Sequence, residues 1–187
     1  MKIWLLTHGQ LVFLEGLKSC LDLLFGEEQQ PGQPSPLQFV SSCDLRALFD
    51  FVRLSLAPCG SASWKGPVLL VDDLSVLLSL GATPVAVLDF IHYCRVSVCC
   101  QLQGNVVVLV HSSEDSEDEE NELVVNSLCH HSDLILWAQG LATGFCKDVH
   151  GQVRHSPAEQ DLVQIYQYKI QDRNVTFFAP GLSAAVL

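Results

Sequence analysis

The sequence predicts an α/β fold: a mostly parallel sheet flanked by helices, with a C-terminal antiparallel hairpin. Three observations carry this. Pro67-Val-Leu-Leu-Val-Asp72 is an unbroken apolar run ending in an aspartate, the pattern of a strand covered on both faces. Asn105-Val-Val-Val-Leu-Val-His111 is a second such run, β-branched and bounded by Gly104. Apolar residues recur at helical spacing around these runs, whereas Gln164-Ile-Tyr-Gln-Tyr-Lys-Ile170 alternates with period two.

Element by element, Gln10-Leu-Val-Phe-Leu14 reads as a short strand, followed by a helix carrying Leu17, Cys20, Leu21 and Leu24. Residues 26–41 form a loop, with three prolines and two glycines inside 26–36. A second helix over 44–56 places Leu45, Leu48, Phe49, Val52 and Leu56 on one face. Another loop, 57–66, leads into the strand at Val68. A short helix over 74–80 is stopped by Gly81, and Pro84 opens a longer one reaching about 102. The acidic stretch 112–122 reads as a solvated loop, and Leu123, Val124 and Leu128 mark a helix ending near His131. Leu134-Ile-Leu-Trp137 is a strand. The hairpin then turns at Gln171-Asp-Arg-Asn174 and returns along Val175-Thr-Phe-Phe178.

At 187 residues the chain can bury one sizeable core. It is 49% hydrophobic with a mean hydropathy of +0.29, an excess that points to surface buried against other chains. The net charge is −11. Glu114, Asp115, Glu117, Asp118, Glu119, Glu120 and Glu122 supply seven of the negatives, leaving −4 for the rest. Such a chain does not track nucleic-acid phosphates alone. The eight cysteines contain no C-x-x-C pair and lie mostly in apolar stretches, as thiols of a reducing compartment do. Met1-Lys-Ile-Trp-Leu-Leu6 is interrupted by Thr7-His-Gly-Gln10 without a small-residue cleavage site, which argues against a secretory leader. The most apolar stretch, 84–100, carries Asp89, His92 and Arg95 and reads as a buried helix rather than a membrane span.

Asp72 stands at the carboxyl end of a buried strand, where open α/β sheets hold ligands. In a nucleotide hydrolase that position serves Mg²⁺. Its partner, G-x-x-x-x-G-K-[ST], is absent. Gly140-Leu-Ala-Thr-Gly-Phe-Cys-Lys147 has the wrong spacing and no hydroxyl after the lysine. Asp72 is therefore a Walker-B-like position not expected to act, and Asp72 and Asp73 read as a strand end and helix cap. No catalytic residue and no cofactor site is expected. Cys129, His130 and His131 with His111, or Cys146 with His150 and His155, could supply metal ligands, but neither set has paired spacing, so no metal is expected. Cys94 with His92 lacks an orienting third group. Ser112, Ser113 and Ser116 each precede acidic residues and are candidate phosphorylation sites, at which added phosphate would push the segment further into solvent.

Several blocks resemble a known family. Gly9-Gln-Leu-Val-Phe-Leu-Glu-Gly-Leu-Lys-Ser19, Pro67-Val-Leu-Leu-Val-Asp-Asp-Leu-Ser-Val-Leu-Leu-Ser-Leu-Gly81, Val85-Ala-Val-Leu-Asp-Phe-Ile-His-Tyr-Cys-Arg95, Gly140-Leu-Ala-Thr-Gly-Phe-Cys-Lys-Asp-Val-His-Gly151 and Tyr166-Gln-Tyr-Lys-Ile-Gln-Asp172 are similar to the vertebrate family of the sixth Elongator subunit. The similarity runs from about Gly9 to Leu187. It implies a RecA-like fold without nucleotide-binding motifs, joined to the fourth and fifth Elongator subunits in a hetero-hexameric ring. Through that ring it implies a non-enzymatic, cytoplasmic and nuclear role beside the catalytic Elongator subunits, which modify the wobble uridine of tRNA. Transfer RNA would be met only as part of the assembly, and no membrane is implied. Two other readings stay open: a nucleotide-binding RecA-type subunit sharing an ATP site with a neighbour, and a free-standing regulatory interaction protein.

The chain departs from that family twice. Residues 1–8 form a divergent N-terminus where the family has a central strand, the loop equivalent to a P-loop, and a helix, so 9–187 reads as a partial, N-terminally truncated RecA-like domain. Residues 153–165 are shorter and less basic than the family's strand-forming connection. The first departure predicts that the strands at 68–71 and 106–110 lack a neighbour, and that the chain alone is aggregation-prone or partly unfolded.

Overall fold

The structure, a computed structural model, describes residues 1–7, 10–15, 45–56, 66–112, 118–142, 144, 146–157 and 163–181. The expected helix around 17–24, the loop 26–41 and residues 57–65 lie outside the described residues. The chain forms two compact units, Met1–Ser127 and Leu128–Leu187.

In the first unit, β1 (Lys2–Thr7) and β2 (Gln10–Glu15) precede α1 (Arg46–Leu56), β3 (Val68–Asp72) and α2 (Ser75–Ser79). There follow α3 (Pro84–Arg95), continued by a π-helical segment Val96–Gln101, then β4 (Asn105–Val108) and the start of α4 (Glu119–His131). The strand order is β2-β1-β3-β4. Only β3 and β4 are parallel, whereas β1 runs antiparallel to both β2 and β3. The expected mostly parallel sheet is corrected on this point. Two residues separate β1 from β2, and so short a connection permits only an antiparallel pair, since a parallel crossover needs a dozen or more residues.

The expectation of an unpaired strand is corrected for 68–71. β1 pairs with β3 along Lys2↔Asp72 to Leu6↔Val68, and β4 pairs with its other edge along Val68↔Asn105 to Val71↔Val108. β3 is therefore hydrogen-bonded on both sides, and residues 2–7 supply the strand expected to be missing beside it. β4 is paired to β3 alone among the described strands.

Alternation divides this sheet into two faces. Ile3, Leu5, Leu14, Leu69 and Val71 are buried on one of them. On that side α1 packs near β1, while α3 and the π-helical segment pack near β4. Leu48, Val52, Leu77, Val87 and Val98 are fully buried; each such side chain contributes about 1.5–3 kcal/mol. Thr83 opens α3 by accepting a hydrogen bond from the Ala86 N–H through Oγ1 at 3.3 Å, with Pro84 at the first helical position. The starts of β3 and β4 approach closely because both are preceded by glycine. A Cβ on Gly66 would collide with the Gln103 carbonyl, and one on Gly104 with the Pro67 carbonyl.

The acidic stretch is shorter than expected as a loop, because α4 starts at Glu119 rather than near Leu123. The Asn121 N–H donates to Asp118 Oδ1 at 3.1 Å, and Glu119, Glu120 and Glu122 occupy the first turn. Negative charge there favours the helix N-terminus.

The second unit is a four-stranded antiparallel sheet ordered β5-β6-β7-β8: β5 (Leu134–Gln139), β6 (Gly151–Pro157), β7 (Gln164–Gln171) and β8 (Asn174–Phe178). The expected hairpin is β7–β8. β6 was not expected: Gly-Gln-Val-Arg-His-Ser-Pro has little strand propensity, and its two flanking partners hold it extended. Gly151 pairs with Tyr168, whose ring lies over it, so that a Cβ at position 151 would meet the Tyr168 hydroxyl at 2.5 Å. Among the described residues, no helix is long and apolar enough to cross a membrane.

Candidate functional site

The polar residues at the carboxyl ends of β3 and β4 form one connected cluster within the first unit. After Asp72 the chain enters α2 through Asp73 and Leu74. Asp73 Oδ1 accepts from the Val76 N–H at 3.3 Å, which caps the first turn of α2. Its other oxygen, Oδ2, lies 3.1 Å from Nε2 of His111, the third residue beyond β4. The Asp73 side chain is 13% exposed and that of His111 74%, so the pair reaches from the protein's interior to its surface.

The same histidine is held by its backbone. Ser75 Oγ accepts from the His111 N–H at 3.1 Å and donates to Asn121 Oδ1 at 3.1 Å. Asn121 Nδ2 completes the ring by donating to the His111 carbonyl at 2.7 Å. Above this ring the parallel ladder continues past β4, with Leu109 N–H on the Val71 carbonyl and Leu74 N–H on the Leu109 carbonyl, both at 2.9 Å. Aspartate, histidine and serine thus meet without forming a catalytic triad. The Ser75 hydroxyl contacts backbone and amide, and the imidazole takes no proton from it. What the cluster does is fasten the β3–α2 turn, the exit of β4 and the first turn of α4 to one another.

Asp72 itself is half-buried, opposite Lys2 in the β1–β3 register, and belongs to the sheet face away from the helices. The capping role expected for this pair of aspartates falls to Asp73. Ser112 is exposed directly after His111, while Ser113 and Ser116 lie outside the described residues. Cys94 is fully buried on α3, where burial pushes its thiol up to about 12, and His92 on the same helix is exposed. Cys129 is half-buried near the end of α4, and burial raises its thiol too. His130 and His131 are exposed in the last turn. His150 Nδ1 accepts from the Ile170 N–H at 3.0 Å, and His155 faces Leu136 and Gln164 in the sheet, its Nδ1 buried. Among the described residues no three histidine, cysteine, aspartate or glutamate side chains gather as a metal set.

Sequence reasoning did not single out Ser75 or Asn121, which hold the cluster together. They are 46 residues apart, and no local spacing marks the pair. A groove of about 570 Å³ lies elsewhere in this unit between α1 and α3, lined by Phe49, Tyr93 and the Asp50–Arg53 ion pair. It contains none of the residues of the polar cluster.

Comparison with known proteins places the chain. The family model described as "Elongation complex protein 6" matches residues 4–172. Its start lies inside β1, so the family pattern reaches into the segment read from sequence as divergent. Elongator complex protein 6 of Xenopus laevis is 58% identical over 188 residues, covering 96% of this chain and 71% of that protein. The Homo sapiens protein of the same name is 59% identical over 192 residues, with the same two coverages. That of Danio rerio is 43% identical over 189 residues, covering 96% of this chain and 70% of the relative. A match over nearly the whole described fold, including both strands and the turn that build the polar cluster, shows that the chain belongs to the Elongation complex protein 6 family.

Proposed function

We propose that this protein is a non-catalytic structural subunit of the Elongator complex. In that reading it occupies a RecA-like hetero-hexameric ring with the fourth and fifth subunits, and supports wobble-uridine modification of tRNA carried out by other subunits in the cytoplasm and nucleus. One observation carries the non-catalytic part. The acidic group best placed at the strand ends, Asp73, has one oxygen on the Val76 N–H and the other on His111, so it serves the fold. The sequence pairs it with no phosphate-binding lysine motif. The charge of −11 supports the view that tRNA is met through other chains.

Co-expression of the tagged full chain with the fourth and fifth Elongator subunits tests this. Co-elution of all three at fixed stoichiometry is expected, and elution of this chain free of both would overturn the reading. ATP turnover in a partner-free preparation, abolished by Asp72→Ala, would overturn its non-catalytic part.

A further inference from the structure

Residues 146–150 lead into β6 and are fastened to β7 by three polar contacts. The His150 N–H donates to the Tyr168 carbonyl at 2.8 Å. Lys169 Nζ lies 2.7 Å from Asp148 Oδ1. The third contact runs the other way, the Ile170 N–H donating to His150 Nδ1 at 3.0 Å.

Register explains that third contact. β6 begins at Gly151, opposite Tyr168, two residues short of Ile170. Alternate residues of a strand aim their backbone groups at the same edge, so Ile170, like Tyr168, presents its N–H toward β6. The imidazole of His150 stands where the next carbonyl of the ladder would stand, and satisfies the last donor on that edge.

A backbone N–H can only donate, so Nδ1 accepts through its lone pair. The ring is therefore neutral, with its proton on Nε2. A second proton would go to Nδ1, turning the acceptor into a donor that faces the Ile170 N–H. The segment held by this bond carries Val149, which is 5% exposed and the one buried aliphatic side chain among the described residues of the second unit.

The charged or titratable groups nearest in chain or register are Lys147 and Asp148 on the same segment, Tyr168 and Lys169 on β7, and Asp172 and Arg173 in the turn beyond it. The first three residues of β6, Gly151, Gln152 and Val153, carry no charge. Lys169 and Asp148 pair with each other and offset one another.

We infer that His150 is a pH-operated latch on the second sheet: its neutral ring holds residues 146–150 against β7, and a second proton releases them and frays the start of β6. Histidine changes charge between about pH 5 and 8. Asp148, whose carboxyl Lys169 holds below its ordinary value of 3.8, keeps its charge throughout that range, so His150 lets go first.

The test follows amide hydrogen exchange in the full chain by NMR at about pH 7.5 and about pH 5.5, each rate taken relative to an unstructured peptide at the same pH. Protection of the Ile170 amide should fall about fivefold at the lower pH, as loss of one ordinary hydrogen bond implies. The His150 amide should fall with it, while the amides of β8, paired to the other edge of β7, keep their protection. His150→Asn offers an acceptor oxygen in place of Nδ1 that takes up no proton, and should hold the Ile170 amide equally protected at both pH values. His150→Ala should leave that amide poorly protected at both, and Asp148→Asn should retain the step. In the unmutated chain, imidazole nitrogen shifts at the higher pH should report the proton on Nε2, a readout that does not depend on how the variants fold. A proton on Nδ1, no step at Ile170, a step at Ile170 without one at His150, or a loss shared by β8 would overturn the inference. So would a step that survives in His150→Asn or vanishes in Asp148→Asn.

Discussion

Asn121 Nδ2 donates to the carbonyl of His111 at 2.7 Å, joining the first turn of α4 to the chain as it leaves β4. The two residues flank 112–120, which carries six of the seven negatives of the acidic stretch. The closure is reinforced because Asn121 Oδ1 and the His111 N–H meet on the same Ser75 hydroxyl. The carboxyl end of the parallel pair is thus occupied by the protein's own hydrogen bonds, at the place where open α/β sheets hold ligands.

That closure predicts an asymmetry between the neighbouring aspartates. Asp73→Ala removes the cap of α2 and the partner of His111, and should destabilise the first unit by about 1–2 kcal/mol. Asp72→Ala, at the end of a strand on the face away from the described helices, should change stability by no more than about 0.5 kcal/mol. Asn121→Ala should resemble Asp73→Ala. Urea unfolding midpoints at constant slope provide the measurement, and equal effects at positions 72 and 73 would show that the cap carries no weight.

In the second unit, Lys169 Nζ lies 2.7 Å from Asp148 Oδ1, and this hydrogen bond, with the lysine's charge, holds the Asp148 carboxyl below its ordinary value of 3.8. A carboxylate depressed on folding adds stability above its unfolded value and loses it as pH falls through the folded value. Lys169→Met should therefore be less stable than the natural chain near neutral pH, with the difference shrinking once the pH passes below 3.8. An NMR titration of the Asp148 carboxyl should show its midpoint rising in Lys169→Met. An unmoved midpoint would mean the ion pair is not populated in solution.

The cysteines of α3 and its π-helical extension should separate by reactivity. Cys94 is buried with its thiol pushed up to about 12, whereas Cys100 is exposed. Relative to an ordinary thiol, Cys94 should carry about a thousandfold less thiolate at mildly alkaline pH, and burial should block the reagent as well. Iodoacetamide followed by peptide mass spectrometry should modify Cys100 in the folded chain and Cys94 only after denaturant is added. Comparable labelling of both would place Cys94 at the surface.

The elements legible in the sequence were those with strong local patterns. Leu48, Val52 and Leu56 repeat with a helical period and form the buried stripe of α1; Val68 to Val71 and the valines of β4 are strands in any context that covers them. Pro84 announced the start of α3 through a preference that needs no distant partner, and the structure adds Thr83 as its cap. The site was legible only in part. A helix cap was expected from Asp72 and Asp73, and Asp73 supplies it, but its links to His111, Ser75 and Asn121 were hidden. Hydrogen bonds across 36 and 46 residues leave no periodic trace.

By itself, then, the sequence determined the identity of most strands and helices, the acidic character of one stretch and the family. Each of these follows from neighbouring residues or from similarity along the chain. Pairing was decided only in three dimensions. Lys2–Thr7 became the strand between β2 and β3, and Gly151–Pro157 became a central strand of the second sheet. Strand propensity is mostly a measure of fit to a neighbouring strand and a half-buried surface, so a segment of weak local preference takes its conformation from the partners that satisfy its backbone. The exposure of Leu6 and Phe13 arises in the same way, because one register assigns every alternate side chain to the face away from the described helices.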